Sequence, residues 1–191
     1  MDIILISDSV ENVHPIMNAA ERAACRVIKQ IGPDDQASSY IKKLHPDALV
    51  VISDDMDRTI LRELHTIKDN SPLPVLIFTR DADPYSIEAA VKAGASSYII
   101  DCHDPDRLKP LLDVAKTRFA EQRRIEDELD DTRQALVDRK KVDKAKGILM
   151  KQKSLDEGKA YKMMRDLAMS HNKKMGEMAE QIILASELLA P

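Results

Sequence analysis

The chain has no tryptophan, two phenylalanines and four tyrosines in 191 residues. Its cores must therefore be built from Ile, Leu, Val, Ala and Met rather than from large rings. Its two cysteines, Cys25 and Cys102, are too far apart for a Cys-x-x-Cys motif or a metal-type spacing. They read as reduced thiols of a cytosolic protein. His14, His45, His65, His103 and His171 show no metal-ligand spacing either. There is no Gly-rich phosphate loop and no nucleophile–base pair, so enzymatic chemistry is not expected. No apolar run reaches transmembrane length, and Met1 leads straight into the apolar stretch Ile3–Ile6 without a signal-peptide pattern. These absences point to a cytoplasmic chain with no membrane partner.

What is present is charge, unevenly placed. Residues 139–191 hold 12 Lys and Arg against 7 Asp and Glu, a net of +5. The remainder holds 17 against 26, a net of −9, and the two together give the net charge of −4. A basic end on an acidic body suits a nucleic-acid partner for that end alone, although a solvated lysine-rich helix face gives the same count.

Ile3–Ile6 is a short apolar run ending in Ser7-Asp8-Ser9, the pattern of a buried parallel strand followed by a polar loop. Residues 10–24 turn to helical spacing. Val27–Ile31 is a second strand, closed by Gly32-Pro33, and Ala37–Leu44 a short helix. Ala48–Ile52 is a third strand, Asp57–Lys68 a helix, and Val75–Phe78 a fourth strand ending at Thr79. Ser86–Ala93 is a helix closed by Gly94, and Ser97–Ile100 a fifth strand ending at Asp101. Strands alternating with helices at this spacing predict a doubly wound α/β domain with a five-stranded parallel sheet. Its ligand-facing edge should lie at the carboxyl ends of the strands, which carry Asp8, Ser53–Asp55, Thr79 and Asp101.

From about Asp104 the period is helical for some 45 residues, with no Gly or Pro between Pro110 and Gly147. Beyond Phe119 the sequence turns polar and leaves Ile125, Leu129, Thr132 and Leu136 at alternating four- and three-residue spacing. That is the seam of a short two-stranded coiled coil. A helix this polar needs a partner for its apolar stripe, and a second copy of itself is the economical one. Residues 1–116 are therefore expected as the α/β domain, 117–139 as a coiled-coil linker helix, and 140–191 as a small helical domain. In the last, Lys151–Ser154 reads as a polar break and Ser154-Leu-Asp-Glu157 as a capping box for the next helix. Ala145, Gly147, Ala160, Ala168 and Ala179 are the small residues that let three short helices approach. Leu149, Met150, Met163, Met164, Leu167, Met175, Met178, Ile182 and Ile183 are the expected core. Lys144, Lys146, Arg165, Lys173 and Lys174 are left as cations. Tyr161 and Arg165, one turn apart, can share a face and offer a stacking surface for single-stranded RNA bases.

The first domain resembles a response-regulator receiver. The strings LPVLIFT (residues 73–79) and EAAVKAGASSYII (residues 88–100) carry the resemblance, with Thr79 at the switch position. The resemblance implies a flavodoxin-like fold and a phosphorelay site: two acidic residues after strand one, a phospho-accepting Asp after strand three, a Lys after strand five, and Mg²⁺ held by the acidic groups. Here the acidic pair reads Ser7-Asp8 and the Lys position reads Asp101. Counting from Pro46-Asp47 puts Ile52 at the acceptor position, whereas the string Val51-Ile52-Ser53-Asp54 puts Asp54 there. Asp8, Asp55 and Asp101 remain as an acidic set, and Mg²⁺ is a cofactor only if the site works. A degenerate receiver is the favoured expectation.

Residues from Lys140 to Leu184 resemble the ANTAR domain of transcription antiterminators. The carrying residues are Asp143, Ala145-Lys146-Gly147, Leu149-Met150, Ala160, Arg165, Leu167-Ala168-Met169, Asn172-Lys173-Lys174 and Ala179. Asp166 stands where many members carry a second basic residue. A receiver joined by a coiled coil to this module looks most like the nitrate-assimilation antitermination regulators. The resemblance implies binding of stem-loops in leader mRNA that favours antitermination. The residues expected to make the contact, from their charge and placement, are Lys144, Lys146, Tyr161, Arg165, Lys173 and Lys174, in a homodimer formed through the Ile125, Leu129 and Leu136 seam, with a sensor or histidine kinase as a further partner. Two rival readings are a DNA-binding response regulator and an interaction adaptor without nucleic acid. The first lacks a helix-turn-helix with a polar recognition helix.

Overall fold

A computed structural model describes residues 1–8, 10–101 and 107–188. Cys102, His103 and the expected helix start at Asp104 lie outside the described residues. The chain divides into two compact units, Met1–Arg123 and Arg124–Pro191.

In the first unit, five strands form one parallel sheet: β1 (Asp2–Ser7), β2 (Arg26–Ile31), β3 (Ala48–Ile52), β4 (Val75–Thr79) and β5 (Ser97–Ile100). Their spatial order is β2-β1-β3-β4-β5, the expected doubly wound arrangement. The pleat sorts alternate residues to opposite faces. Ile4, Ile6, Leu49, Val51, Val75 and Ile77 pack on one side with α2 (Ala37–Leu44) and α3 (Arg58–Asn70). Ile3, Leu5, Val50, Ile52, Leu76 and Phe78 pack on the other with α1 (Val10–Arg22) and the first turns of α5 (Leu108–Lys153). Strands buried on both faces read as unbroken apolar runs, which is why β1, β3 and β4 are legible without alternation. β2 lies at the edge, and the β1–β2 register slips between Ile3 and Ile4, leaving Ile28 unpaired as a bulge.

Polar punctuation sets the helix ends. Asp57 caps α3 by accepting the Ile60 N–H at 2.8 Å. Asp83 caps α4 (Pro84–Lys92), whose first residue is a proline. Gly94, at φ +106°, follows α4 in a conformation that L side chains resist. Its fixed turn aims β5 back into the sheet.

The second unit is the rest of α5 with α6 (Glu157–Ser170) and α7 (Met175–Leu188). Its core is Ala145, Leu149, Ala160, Met164, Ala168, Met178 and Ala179, with Met163, Leu167, Met175, Ile182 and Ile183 partly buried around it. Three sequence expectations change here. The helix is unbroken through Lys153, and Ser154 is not a cap: it adopts φ +52° to turn the corner, while the Asp156 carboxylate accepts the Lys159 N–H at 2.8 Å. Met150 is exposed rather than core. The close helix approach is at Gly176, where a Cβ would stand 2.5 Å from the Asp138 side chain, and not at Gly147, where it would meet nothing within 4 Å.

Candidate functional site

Two places deserve weighing: the carboxyl edge of the sheet and the outer faces of the three-helix unit. At the sheet edge the registers are continuous. Ser7 pairs with Ile52 and Ile52 with Phe78. Ile52 is the last residue of β3, only 6% exposed, and packs among the apolar residues beneath α1 and α5. The chain leaves the sheet at Ser53, so Asp54 lies in the following bend and not at the strand end.

Asp8, Asp54 and Asp81 there are occupied locally. Asp8 Oδ2 accepts from the Ser53 hydroxyl at 2.5 Å and from the Asp54 N–H at 3.3 Å. Asp54 Oδ1 lies 3.1 Å from Arg80 Nε, an exposed ion pair. The Thr79 hydroxyl donates to the Asp54 carbonyl at 3.2 Å and accepts the Asp81 N–H at 3.0 Å. Tyr98 donates its hydroxyl to the Asp81 carbonyl at 2.9 Å. A hydrogen bond from Ser86, then one from the Asp83 N–H, holds the Asp81 carboxyl below the usual range. Asp55 and Asp101 are exposed, and Asp101 sits at φ +50° with its N–H on the Thr79 carbonyl at 3.0 Å. Among the described residues no three His, Cys, Asp or Glu side chains are disposed to hold a metal. An apolar side chain at the strand end, with serine in place of one acidic ligand, does not fit Mg²⁺, which takes oxygen donors in near-octahedral geometry. Arg80 and Asp81 are parts of this network that sequence reasoning passed over. Their position directly after Thr79 was the available signal.

On the helical unit, Tyr161, Arg165 and Met169 are 45%, 56% and 72% exposed respectively. Four-residue spacing stacks them in one stripe along α6, and Lys162 is exposed beside it. Met169 was not among the expected contact residues, though its i+4 relation to Arg165 could have found it. Lys173 and Lys174 lie in the turn between α6 and α7. That turn is held by the Lys173 N–H on the Ala168 carbonyl at 2.9 Å and by the Lys174 N–H on Glu177 at 3.1 Å. Neither side chain has a carboxylate within ion-pair distance among the described residues.

The other two expected cations are engaged. Lys144 reaches Glu187 at 2.9 Å, an exposed pair. Lys146 is only 17% exposed and its ammonium lies between Glu157 at 2.8 Å and Asp143 at 2.9 Å. Those hydrogen bonds, Glu157 first, raise its pKa. Lys146 thus ties α5 to the start of α6, and its charge is largely spent within the chain. Ile125, Leu129 and Leu136 are exposed along α5.

The ANTAR domain family matches residues 130–183. The chain is 27% identical over 151 residues to the transcriptional regulatory protein PdtaR of Mycobacterium tuberculosis, covering 78% of this chain and 74% of that protein. It is 30% identical over 80 residues to the nitrate regulatory protein of Klebsiella oxytoca, covering 42% of this chain and 20% of that one. A response regulator from Thermotoga maritima superposes with a TM-score of 0.53 at 20% identity, over 61% of this chain and 97% of that one, and so shares the fold of the first unit. The sheet order and these likenesses give the first unit the fold of response-regulator receivers, and residues 130–183 of the helical unit match the ANTAR domain family.

Proposed function

We propose that this protein is a cytoplasmic transcription antitermination regulator, whose ANTAR unit binds stem-loop RNA in leader transcripts under the control of its receiver-fold domain. The observation that carries the reading is the exposed stripe Tyr161–Arg165–Met169, with the unpaired Lys173 and Lys174 at the following turn. Unstacked bases of an RNA loop pack on aromatic and guanidinium planes, and phosphates need free cations. The protein acts by binding and not by chemistry. It works as a homodimer through Ile125, Leu129 and Leu136, which presents two such faces.

Arg165→Ala is expected to weaken binding to a cognate leader hairpin and to reduce discrimination against a scrambled loop. Lys173→Ala or Lys174→Ala should lower the salt slope of binding by about one unit each without changing specificity. Lys146→Ala should instead loosen the α5–α6 junction. Filter binding across a salt series measures all of them. Wild-type affinity and slope in every variant would remove this face from consideration. A preference for duplex DNA over hairpin RNA would favour the DNA-binding reading.

The receiver-fold domain is proposed to have lost acceptor chemistry and to take its signal from a protein partner, such as a sensor kinase. Ile52 occupies the strand end, Asp101 stands where a cation would neutralise a phosphoryl group, and Asp54 is held by Arg80. Acetyl phosphate with Mg²⁺ is therefore expected to leave the protein unlabelled by intact mass. Stoichiometric labelling that disappears in Asp54→Asn would restore a working phosphosite.

A further inference from the structure

We propose that Gly147 is a notch on the outer side of α5 against which the phosphodiester backbone of bound RNA packs, with Lys140, Lys144 and Lys151 as its flanking cations. The inference rests on the RNA-binding reading above and adds a second contact surface to the α6 stripe.

Gly147 lies well inside α5, where glycine costs helix stability because its backbone loses the most freedom. Gly147 is half-buried by its own helix, but no neighbour among the described residues requires a glycine there. Its φ is not positive, since Gly94 is the one glycine in that region among the described residues. A Cβ added to it would meet no atom within 4 Å. Gly176 makes the contrast, because there a Cβ would run into Asp138. The buried core residues Ala145 and Leu149 lie two positions to either side, and at 3.6 residues per turn this puts Gly147 on the opposite side of the helix. A residue without a side chain, on an outward side, gives a ligand direct access to the helix backbone.

The charges around it select the ligand. Lys140, Lys144 and Lys151 stand at i−7, i−3 and i+4 from Gly147, which places all three on its side of the helix. All three are exposed. Lys144 has the exposed partner Glu187, a solvent-screened pair that a phosphate can displace. A second copy of the chain is the other occupant to weigh, because Ile125, Leu129 and Leu136 lie on the same side of α5. Continued at its own alternating spacing, however, the seam would carry Arg139, Asp143 and Lys146, charges that disfavour a coiled-coil core. Asp143, at i−4 on the same side, is itself paired with Lys146 at 2.9 Å, so the three lysines leave this side net positive, which suits a polyanion better.

The test uses the full-length protein and a stem-loop RNA selected on the wild type from a library with a fixed stem and a randomised loop. Gly147→Ala and Gly147→Leu are expected to melt at or above the wild-type temperature and to sediment as the wild type does. Both should bind the RNA more weakly. For the leucine variant we expect about tenfold lower affinity and a salt slope lower by about one unit, with Lys151→Ala losing a similar slope. Undiminished RNA binding by Gly147→Leu would overturn the inference while leaving the α6 site standing. So would a lower melting temperature, which would make the glycine structural, or a change of oligomeric state, which would assign the notch to a second copy. If no RNA is selected by the wild type, the RNA-binding reading itself fails, and this one with it.

Discussion

Leu129→Lys is expected to convert the proposed dimer to a monomer in sedimentation velocity. Leu129 is 47% exposed in the single chain, and Ile125 and Leu136 are exposed with it at coiled-coil spacing. Such a stripe on an otherwise charged helix needs a partner. In a parallel pair each Leu129 meets its own copy across the seam, so the substitution acts twice. Two leucine side chains lose about 1.5–3 kcal/mol each of burial, or roughly two to four orders of magnitude in Kd, before like-charge repulsion is counted. Helix content should change little, because lysine is a good helix former and the position faces outward. An unchanged dimer would place the interface elsewhere, and the exposed side of α4 around Tyr85 and Val91 would be the next to examine.

The second large effect is on folding of the ANTAR unit. Met164 is the largest fully buried side chain there, in a cluster with Ala145, Leu149, Ala160, Ala168, Met178 and Ala179. Four of the cluster's seven buried residues are alanines, so Met164 supplies much of the volume at the centre. Met164→Ala should therefore cost about 2–5 kcal/mol. In a unit of this size each kcal/mol moves the melting temperature by about 4–8 °C. The ANTAR transition should fall by at least about 8 °C, while the receiver-fold transition stays in place. Met164→Leu conserves volume and should cost less than about 1.5 kcal/mol. Scanning calorimetry of the three proteins reads the difference. An alanine variant that melts with the wild type would mean that the three helices do not close on Met164.

Much of the fold was legible because burial on both faces of a parallel sheet writes itself as short apolar runs. Ala48–Ile52 was read to the residue for that reason, and Ser97–Ile100 and Ala37–Leu44 because turn and polar residues bracket them. The turn into α6 was misread because Ser154-x-x-Glu157 satisfies a local rule for capping. The competing fact is a distance: the chain must turn within three residues, Ser154 to Asp156, to bring α6 onto Ala145 and Leu149. That turn requires φ > 0 at Ser154 and hands the cap to Asp156. Lys146 is a similar case. As one lysine among twelve basic residues it is an ordinary phosphate ligand, and only the approach of Glu157 from the next helix shows where its charge goes.

The sequence by itself determined the alternation of strands and helices, the long polar helix with its apolar stripe, the alanine- and methionine-rich helical unit and the basic excess at its end. All of these are properties of neighbours along the chain, set by periodicity and composition. The tertiary structure alone decided which cations remain unpaired, which glycine is crowded and which is open, and which residue closes β3 opposite Ser7. Each of these depends on atoms brought together from distant positions: Glu157 and Glu187 to the lysines of α5, Asp138 to Gly176, the β1–β3 register to Ile52. Local pattern constrains the conformation of a segment. Pairing, crowding and access are settled only when segments meet, because they depend on separations in space that sequence distance does not set.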